Sequence, residues 1–213
     1  MSKKISDIRI DYLKSDLNKS NLNPNPISQF KSWFSFALDS NIHEPNAMVL
    51  STSNDDGKVN ARVVLLKNII PSGFVFFSNY KSKKGKELIE NPNASLTFFW
   101  PQLEQQIRVS GFVEKISRKE SIKYFLSRPR ESQIAAIASN QSEILESRIQ
   151  LSNEFIRIDK EFKGKPLKTP THWGGYLVKP LEIEFWQGRK SRMHDRFNYS
   201  LNNNKWDIKR LSP

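Results

Sequence analysis

The sequence predicts a mainly β protein with peripheral helices, folded as a small barrel. About six or seven short stretches rich in β-branched and aromatic residues are bounded by turn-forming residues, a pattern typical of strands. Segments with apolar residues at helical spacing lie between them. Because strands and helices alternate irregularly along the chain, a doubly wound parallel sheet is not expected.

The first predicted helix follows a polar N-terminal segment. Residues 1–27 end in Asn-Pro-Asn-Pro, a composition that predicts a mobile arm. A single domain is expected over residues 28–213. It opens with a helix from about residue 28, because Phe30, Trp33 and Ala37 recur at helical spacing.

Most of the predicted strands come next. They share apolar side chains and are separated by turns containing Gly, Pro or Asn: 47–53, 59–67, 74–79, 94–100 and 105–116. The first three are expected to form an antiparallel meander. A short helix is predicted over 82–90, where Asn91-Pro92 ends it.

Helices dominate the following part of the chain. Ser117 and Glu120 fit a capping box, which opens a helix. That helix must end near Arg128-Pro129, since the residue before proline avoids the helical region. The remaining elements are predicted as helices over 130–139 and 142–162 and as strands over 173–180, 181–187 and 205–211.

The strongly basic composition suggests an anionic partner. The chain has 34 Lys and Arg against 22 Asp and Glu, a net charge of +12. Nucleic acid, a membrane surface and phosphorylated small molecules are the partners that such a charge favours. The basic residues are dispersed and no nucleic-acid-binding motif accompanies them, so charge alone does not choose among the three.

Several kinds of chemistry are excluded by the motifs and residues that the sequence lacks. With no cysteine, the chain has no disulfide, thiolate metal site or cysteine nucleophile. GxGxxG, GxxxxGK[ST], GxSxG and HExxH are absent and the three histidines are far apart, so no metal site is expected. Any reaction is expected to depend on an organic cofactor.

The sequence also indicates a location. No run approaches the about 18 apolar residues that cross a bilayer. The start, MSKKISDIRI, lacks the apolar region of a secretory signal. A cytoplasmic protein with no membrane partner is expected.

The segment from Trp186 to Arg196 is the most informative in the chain. Arg192, His194 and Arg196 stand at alternate positions, so in an extended strand all three would point to one face. Crowded cations repel each other unless an anion lies against them, and arginine suits phosphate or carboxylate. Surface arginines on a solvated edge strand would give the same pattern, so both interpretations stay open.

Two basic segments in the first half could bind anions. Arg62 and Lys67 flank an apolar strand, and strict alternation places them on opposite faces. Lysines within 81–86 gather at a predicted helix start, where free N–H groups favour an anion. Ordinary strand ends and a solvated lysine run are the alternatives.

Two polar groups in the second half could complete such a pocket. Tyr124, Arg128 and Ser132 recur at intervals of four, which would align them on a continuous helix if Pro129 did not bend it. Arg128 and Ser132 could bind a phosphate; an ordinary helix surface and an N-cap are the alternatives. Gln106 in a strand, and Gln141-Ser142 at a predicted helix start, could hydrogen-bond a heteroaromatic ring or a phosphate.

Together these segments resemble the pyridoxine (pyridoxamine) 5′-phosphate oxidase family. The matching stretches occur in the family's order over residues 28–213: RVVLLK (62–67), FFSNYKSKKGKEL (76–88), WPQLEQQIRVSG (100–111), YFLSRPRESQIAA (124–136), NQS (140–142), FWQGRKSRMHDR (185–196) and the ending WDIKRLSP. The resemblance implies an FMN-binding split β-barrel acting as a homodimer, with two sites at the subunit interface and no nucleic-acid partner.

The resemblance also implies a role for each matching residue. Those implied to bind FMN are Arg62, Val63, Val64, Leu65, Leu66, Lys67, Phe77, Ser78, Lys83, Lys84, Gln106, Gln141, Ser142, Trp186 and Arg196. Those implied to bind substrate are Lys67, Tyr124, Arg128, Ser132, Arg192 and His194, with Arg9 and Tyr12 of the arm as further candidates. Arg192 and His194 are also the implied catalytic pair, as groups that position the substrate or handle a proton.

The implied reaction oxidises pyridoxine 5′-phosphate or pyridoxamine 5′-phosphate to pyridoxal 5′-phosphate. Hydride would pass from substrate C4′ to flavin N5, with O₂ as the final acceptor and H₂O₂ as product. An FMN-binding split barrel without this activity is the alternative. The chain departs from the family pattern at Arg189, where a second glycine is frequent, and at Gln105 and Met193, where arginine and leucine are common.

Overall fold

The computed structural model describes residues 4–7 and 10–213. Five α-helices lie in this part of the chain: α1 Pro26–Asp39, α2 Lys83–Glu90, α3 Arg118–Ser127, α4 Arg130–Ala138 and α5 Arg148–Glu161. The strands are β1 Ala47–Ser53, β2 Val59–Leu65, β3 Asn68–Ile70, β4 Gly73–Asn79, β5 Asn93–Trp100, β6 Gln105–Lys115, β7 Trp173–Gln187, β8 Asp195–Asn202 and β9 Lys205–Leu211. A mainly β protein with peripheral helices, as predicted, is confirmed.

The nine strands form one sheet. Its hydrogen-bonded order is β2-β1-β5-β6-β7-β4-β3, with β8 on β7 and β9 on β8. The expected meander of the first three strands is wrong, because β4 pairs with β3 and β7 instead of following β2. β7 is one long strand, and Pro180 lies between the residues that pair with β4 and those that pair with β8.

Several element boundaries differ from those that the sequence predicts. α1 begins at Pro26, because Asn25 accepts hydrogen bonds from the N–H groups of Ile27 and Ser28 and proline is favoured in the first turn. α5 begins only at Arg148, where Ser147 is its N-cap. Residues 141 and 142 therefore lie in a loop and not at a helix start.

The chain divides into two compact units. Unit 1 comprises Met1–Val49, Ser95–Gly111 and Pro180–Pro213, and unit 2 comprises Leu50–Ala94 and Phe112–Lys179. Strands β1, β5, β6 and β7 contribute residues to both units. The single domain over 28–213 stays a prediction.

Unit 1 is built around aromatic side chains. Phe30 of α1 contacts Phe98 of β5, with ring centroids 4.9 Å apart, and Trp33 contacts Phe185 of β7 at 5.2 Å. The N-terminal segment joins this unit: Leu17 is buried, and its N–H donates to the Asp195 carboxylate at 3.1 Å. The mobility predicted for residues 1–27 stays a prediction.

Unit 2 has its own core. The buried residues Phe125, Ile134, Ile158, Leu167 and Trp173 form one cluster, which joins α3, α4 and α5 to the start of β7. The predicted capping box at the start of α3 is confirmed: the Glu120 N–H donates to Ser117 Oγ at 3.1 Å, and the Glu120 carboxylate accepts from the Ser117 N–H.

Candidate functional site

A cavity of about 630 Å³ lies within unit 2. Its walls come from β2, β4, the first turn of α2, the end of α3, parts of α4 and α5, and the start of β7. The lining residues are Arg62, Val63, Val64, Leu65, Lys67, Phe77, Ser78, Asn79, Lys84, Tyr124, Arg128, Ala135, Ala136, Ala138, Ser139, Gln141, Leu151, Phe155 and Trp173. Cofactor sites commonly have this size and this mixture of apolar walls with a few polar groups.

Arg62 and Lys67 both line this cavity, as do the consecutive residues Val63, Val64 and Leu65, so the predicted placement of Arg62 and Lys67 on opposite strand faces stays a prediction. β2 ends at Leu65, so the alternation of an extended strand does not extend to residue 67. Lys67 lies beyond the strand, and its backbone N–H donates to the Val75 carbonyl of β4 at 2.8 Å.

Lys84 is a buried cation in the cavity wall. Its Nζ donates to Ser78 Oγ at 3.2 Å, to Ser82 Oγ at 3.3 Å and to Gln141 Oε1 at 3.1 Å. The pKa of Lys84 is lowered to about 8, mainly by burial and further by the nearby Arg62, while Glu87 opposes this shift. A buried ammonium bonded to neutral oxygens is a strong site for an anion.

The start of α2 explains how Lys84 reaches this position. Ser82 is the N-cap and accepts from the Gly85 N–H. A Cβ at Gly85 would lie 2.2 Å from the Tyr80 carbonyl oxygen, so only glycine lets the helix approach the chain so closely here. The predicted lysine-rich helix start is confirmed, with Lys84 buried and Lys83 exposed.

Arg62 forms an ion pair with the buried carboxylate of Glu87. Glu87 Oε2 accepts from Arg62 at 3.3 Å and from Thr52 Oγ1 at 2.5 Å, and Glu87 Oε1 accepts from Asn60 Nδ2 at 2.7 Å. Arg62 also donates to Thr52 Oγ1 at 2.5 Å. Lys83, outside the cavity lining, donates to Asn60 Oδ1 at 2.9 Å.

A second cation lies against an aromatic wall of the same cavity. The Arg128 guanidinium is 4.8 Å from the centre of the Trp173 ring, and its Nη1 is buried with no hydrogen-bond partner. Burial lowers the pKa of Arg128, and Tyr124 raises it in part. Since an unpaired buried donor costs about 1–3 kcal/mol, this nitrogen is suited to an anionic acceptor.

Three parallel rings form the aromatic wall. Phe77 is stacked on Tyr124 at 3.9 Å and on Trp173 at 5.4 Å. A Cβ at Gly175, which pairs with Phe77 across β4 and β7, would lie 2.9 Å from Phe77 Cε1, so glycine leaves room for this ring. Stacked rings of this kind suit a flat heteroaromatic ligand.

The C-terminal basic residues lie in unit 1, together with Trp186 and Tyr12. The Trp186 and His194 rings are 4.6 Å apart, and Tyr12 is 5.8 Å from each of them. His194 Nδ1 accepts the Arg189 N–H at 3.1 Å. Burial and the neighbouring Arg192 lower the pKa of His194.

The prediction that Arg192, His194 and Arg196 lie on one extended strand is wrong. Residues 190–192 form a single 3₁₀ turn, and both Ser191 and Arg192 have positive φ. Only Arg196 lies on β8, where its guanidinium donates to both oxygens of Glu184, at 3.0 and 3.1 Å. Arg192 and His194 are therefore placed by a loop, and Arg196 is paired with a carboxylate.

Four other predicted site residues do not line the cavity. Gln106 is half-buried on β6, Leu66 is buried outside the cavity lining, and Ser142 is exposed in the loop after α4. Ser132 is half-buried on α4 and does not line the cavity. Arg9 lies outside the described residues.

Sequence reasoning missed Glu87 and Trp173. Glu87 follows four lysines in the sequence, so it resembles a surface ion-pair partner, and nothing local signals its burial. Trp173 begins β7 and looks like an ordinary strand aromatic.

No cluster of acidic residues and histidines that could hold a metal occurs among residues 4–7 and 10–213. None of the helices in that part of the chain has the length and apolar character needed to span a bilayer.

The donor set of the cavity fits FMN. Lys84, Ser78 and Arg62 can bind a phosphate, the aromatic and aliphatic walls can hold a flat ring, and Arg128 offers an unpaired donor. Each group has the chemistry that a phosphorylated aromatic cofactor requires.

Comparison with solved structures places the fold in a known class. The structure is similar to PhzG from Burkholderia lata 383 in complex with tetrahydrophenazine-1-carboxylic acid, with a TM-score of 0.87, 30% identity and coverage of 91% of this chain and 95% of that one. It also shares its fold with a pyridoxamine 5′-phosphate oxidase-related, FMN-binding protein from Nostoc punctiforme, with a TM-score of 0.72, 15% identity and coverage of 86% and 97%. The fold and the cavity define an FMN-binding split-barrel protein.

Sequence comparison gives the family. Residues 36–159 match the model of pyridoxamine 5′-phosphate oxidase, and residues 173–213 match the pyridoxine 5′-phosphate oxidase C-terminal dimerisation region. The pyridoxine/pyridoxamine 5′-phosphate oxidase of Nostoc sp. is 50% identical over 214 residues, covering 100% of both chains. That of Leptospira biflexa is 48% identical over 209 residues, covering 98% of this chain and 99% of the relative. The chain belongs to the pyridoxine/pyridoxamine 5′-phosphate oxidase family, with FMN as cofactor, and its dimerisation region supports a homodimer.

Proposed function

We propose that this chain oxidises both pyridoxine 5′-phosphate and pyridoxamine 5′-phosphate to pyridoxal 5′-phosphate in the cytoplasm, with O₂ as electron acceptor. The alcohol reacts with O₂ to give the aldehyde and H₂O₂. The amine reacts with O₂ and water to give the aldehyde, ammonia and H₂O₂. When bound, FMN would supply a two-electron acceptor, to which hydride from substrate C4′ could pass at N5 before the electrons reach O₂.

One observation carries this proposal: a single cavity is lined by the buried Lys84 and the half-buried Arg128, and neither is paired with a carboxylate of the described residues. Lys84 is bonded only to neutral oxygens, and Arg128 has a buried unpaired nitrogen. A phosphorylated cofactor and a phosphorylated substrate supply one anion for each.

The residues divide into those that bind the cofactor and those that bind the substrate. The groups proposed to hold FMN are Arg62, Val63, Val64, Leu65, Leu66, Lys67, Phe77, Ser78, Lys83, Lys84, Gln106, Gln141, Ser142, Trp186 and Arg196. Lys67, Tyr124, Arg128 and Ser132 bind the substrate phosphate, and Arg192 and His194 orient the pyridine ring. Holding C4′ in place lowers the entropic part of the activation barrier, since reactants fixed in a productive geometry react far faster than free ones. Each site lies at the interface of the homodimer.

The experiment begins with an absorption spectrum of the purified protein. It continues with oxygen consumption and peroxide formation on each of the two substrates. Flavin absorption with turnover of both phosphates supports the proposal. A protein that binds FMN but leaves both substrates intact would be the alternative flavin-binding protein without oxidase activity.

A variant pair tests the role of Arg128. Arg128→Leu is expected to raise KM for both phosphorylated substrates by at least about tenfold, the effect of losing one charge-assisted hydrogen bond. Lys119→Ala removes a positive charge from the exposed face of the same region and is expected to leave KM unchanged. Equal KM values for the two variants would contradict the assignment of Arg128.

A further inference from the structure

The loop between β7 and β8 is strained and is closed by few hydrogen bonds. Ser191 and Arg192 have φ values of 57° and 61°, a region that non-glycine residues seldom adopt. Two bonds close the loop: the Arg189 N–H donates to His194 Nδ1 at 3.1 Å, and the Met193 N–H donates to the Lys190 carbonyl at 3.1 Å. The orientation of His194 therefore depends on where the backbone of residue 189 is held.

The side chain of Arg189 holds that backbone against the N-terminal segment. Its Nη1 donates to the Ser15 carbonyl at 3.1 Å, and its Nε lies 3.5 Å from Asp195 Oδ2. The same Asp195 oxygen accepts the Leu17 N–H at 3.1 Å. On its other side, Asp195 accepts from Arg210 Nη1 at 2.5 Å. Arg189 and Asp195 thus join residues 15–17 to the residue next to His194.

The N-terminal segment also contacts this loop through Tyr12. A Cβ at Gly188 would lie 2.7 Å from Tyr12 Cγ, so the Tyr12 ring fills the space that a side chain at 188 would need. Tyr12 lies 5.8 Å from both the Trp186 and His194 rings. Displacing residues 15–17 would therefore change the surroundings of His194 on two sides.

We propose that Arg189 is a positioning residue, which ties residues 15–17 to β8 and holds His194 in one tautomer. Because the Arg189 N–H can only donate, Nδ1 of the neutral imidazole is the acceptor and Nε2 carries the proton. His194 then presents a donor to a ligand. This step rests on the proposed function, in which His194 orients the pyridine ring.

The identity of the residue at 189 matters for this role. Glycine, which the resemblance leads one to expect there, has the backbone N–H but no group to reach Ser15 or Asp195. The guanidinium reaches both with different nitrogens, and its planar fork is suited to two acceptors at once. Lysine has a single ammonium and is expected to serve the two acceptors less well.

The test uses the full chain with three substitutions. Arg189→Ala removes the side chain and keeps the backbone donor, whereas Arg189→Lys keeps the charge. Lys190→Ala is the matched control, because it removes a neighbouring positive charge from an exposed side chain. Two measurements need no turnover: amide hydrogen exchange at residues 15–17, and the ¹⁵N shifts of His194, which is one of only three histidines.

Arg189→Ala is expected to speed exchange of the Leu17 amide on the order of tenfold, the effect of one lost hydrogen bond. It should also give His194 mixed tautomers and raise KM for pyridoxine 5′-phosphate more than it lowers kcat, with the FMN content unchanged. Arg189→Lys should recover part of each effect. Lys190→Ala should match the unsubstituted protein.

The outcomes separate the two proposals. If Arg189→Ala leaves both exchange and the His194 tautomer as they are in Lys190→Ala, the positioning role is wrong, whatever the enzyme's activity. If the two spectroscopic effects appear but the unsubstituted protein oxidises neither substrate, the role of Arg189 stands and the proposed function fails.

Discussion

The affinity for FMN is expected to fall as the pH rises through 8, because of Lys84. Without an anion, burial and Arg62 lower the pKa of this ammonium from 10.5 to about 8. A phosphate bonded to Nζ favours the charged form and raises that pKa again. FMN binding is therefore coupled to uptake of a proton at alkaline pH.

The size of the effect follows from the two pKa values. At pH 7 Lys84 is already charged, whereas at pH 9 about nine-tenths of the free protein must first take up a proton, so the Kd rises about tenfold. If bound phosphate restored the ordinary value of 10.5, the full change at higher pH would be about 300-fold.

The assay is a titration of the cofactor-free protein with FMN at pH 7, 8 and 9 and constant ionic strength, followed by flavin fluorescence. Lys84→Arg keeps its charge throughout this range and should abolish the pH dependence, even if its Kd differs. Lys86→Arg, on the exposed face of α2, is the matched control and should behave like the unsubstituted protein. A Kd that is constant from pH 7 to 9, or the same pH dependence in Lys84→Arg, would refute the reasoning.

Three further predictions concern the groups around the ligands. Glu87→Gln, measured by urea unfolding and FMN titration, should cost about 1–3 kcal/mol of stability and weaken FMN binding, because Arg62 loses its buried carboxylate; unchanged values for both would contradict that role. Gly188→Ala should displace Tyr12, whose ring leaves no room for a methyl group, and faster amide exchange near residue 12 would report it, with the FMN content as the control. Arg192→Leu and His194→Leu should each lower turnover while FMN stays bound, as absorbance and oxygen consumption can show; loss of FMN would mean that the division between cofactor and substrate residues is wrong.

Local sequence patterns predicted much of the fold. The bounds of β1 and β9 agree with the apolar stretches at 47–53 and 205–211, and the capping box located the start of α3. The order of the strands in the sheet was not predictable in this way. The pairing of β4 with β7 joins residues about a hundred positions apart. Periodicity and turn residues describe only neighbouring positions, so they do not predict this pairing.

The candidate site shows the same limit. Lys84 and Arg128 stand out in the sequence as basic residues near helix ends, and both line the cavity. The alternation of Arg192, His194 and Arg196 places them on one face only if the backbone is extended. Ser191 and Arg192 have positive φ, so the backbone is not extended there. The burial of Glu87 arises from Thr52 and Asn60 on other elements, so no local signal could reveal it.

The aromatic wall of the cavity belongs at the same time to the core of unit 2. Trp173 is a member of the buried cluster with Phe125 and Ile158, and Phe77 and Tyr124 pack against that cluster. A flavin held against these rings would extend the core, so bound cofactor should raise the unfolding temperature as its concentration increases. Substitutions at Phe125 or Ile158, which do not line the cavity, should then appear first as a loss of cofactor. A deficit in flavin content alone would not distinguish a damaged binding site from a weakened fold.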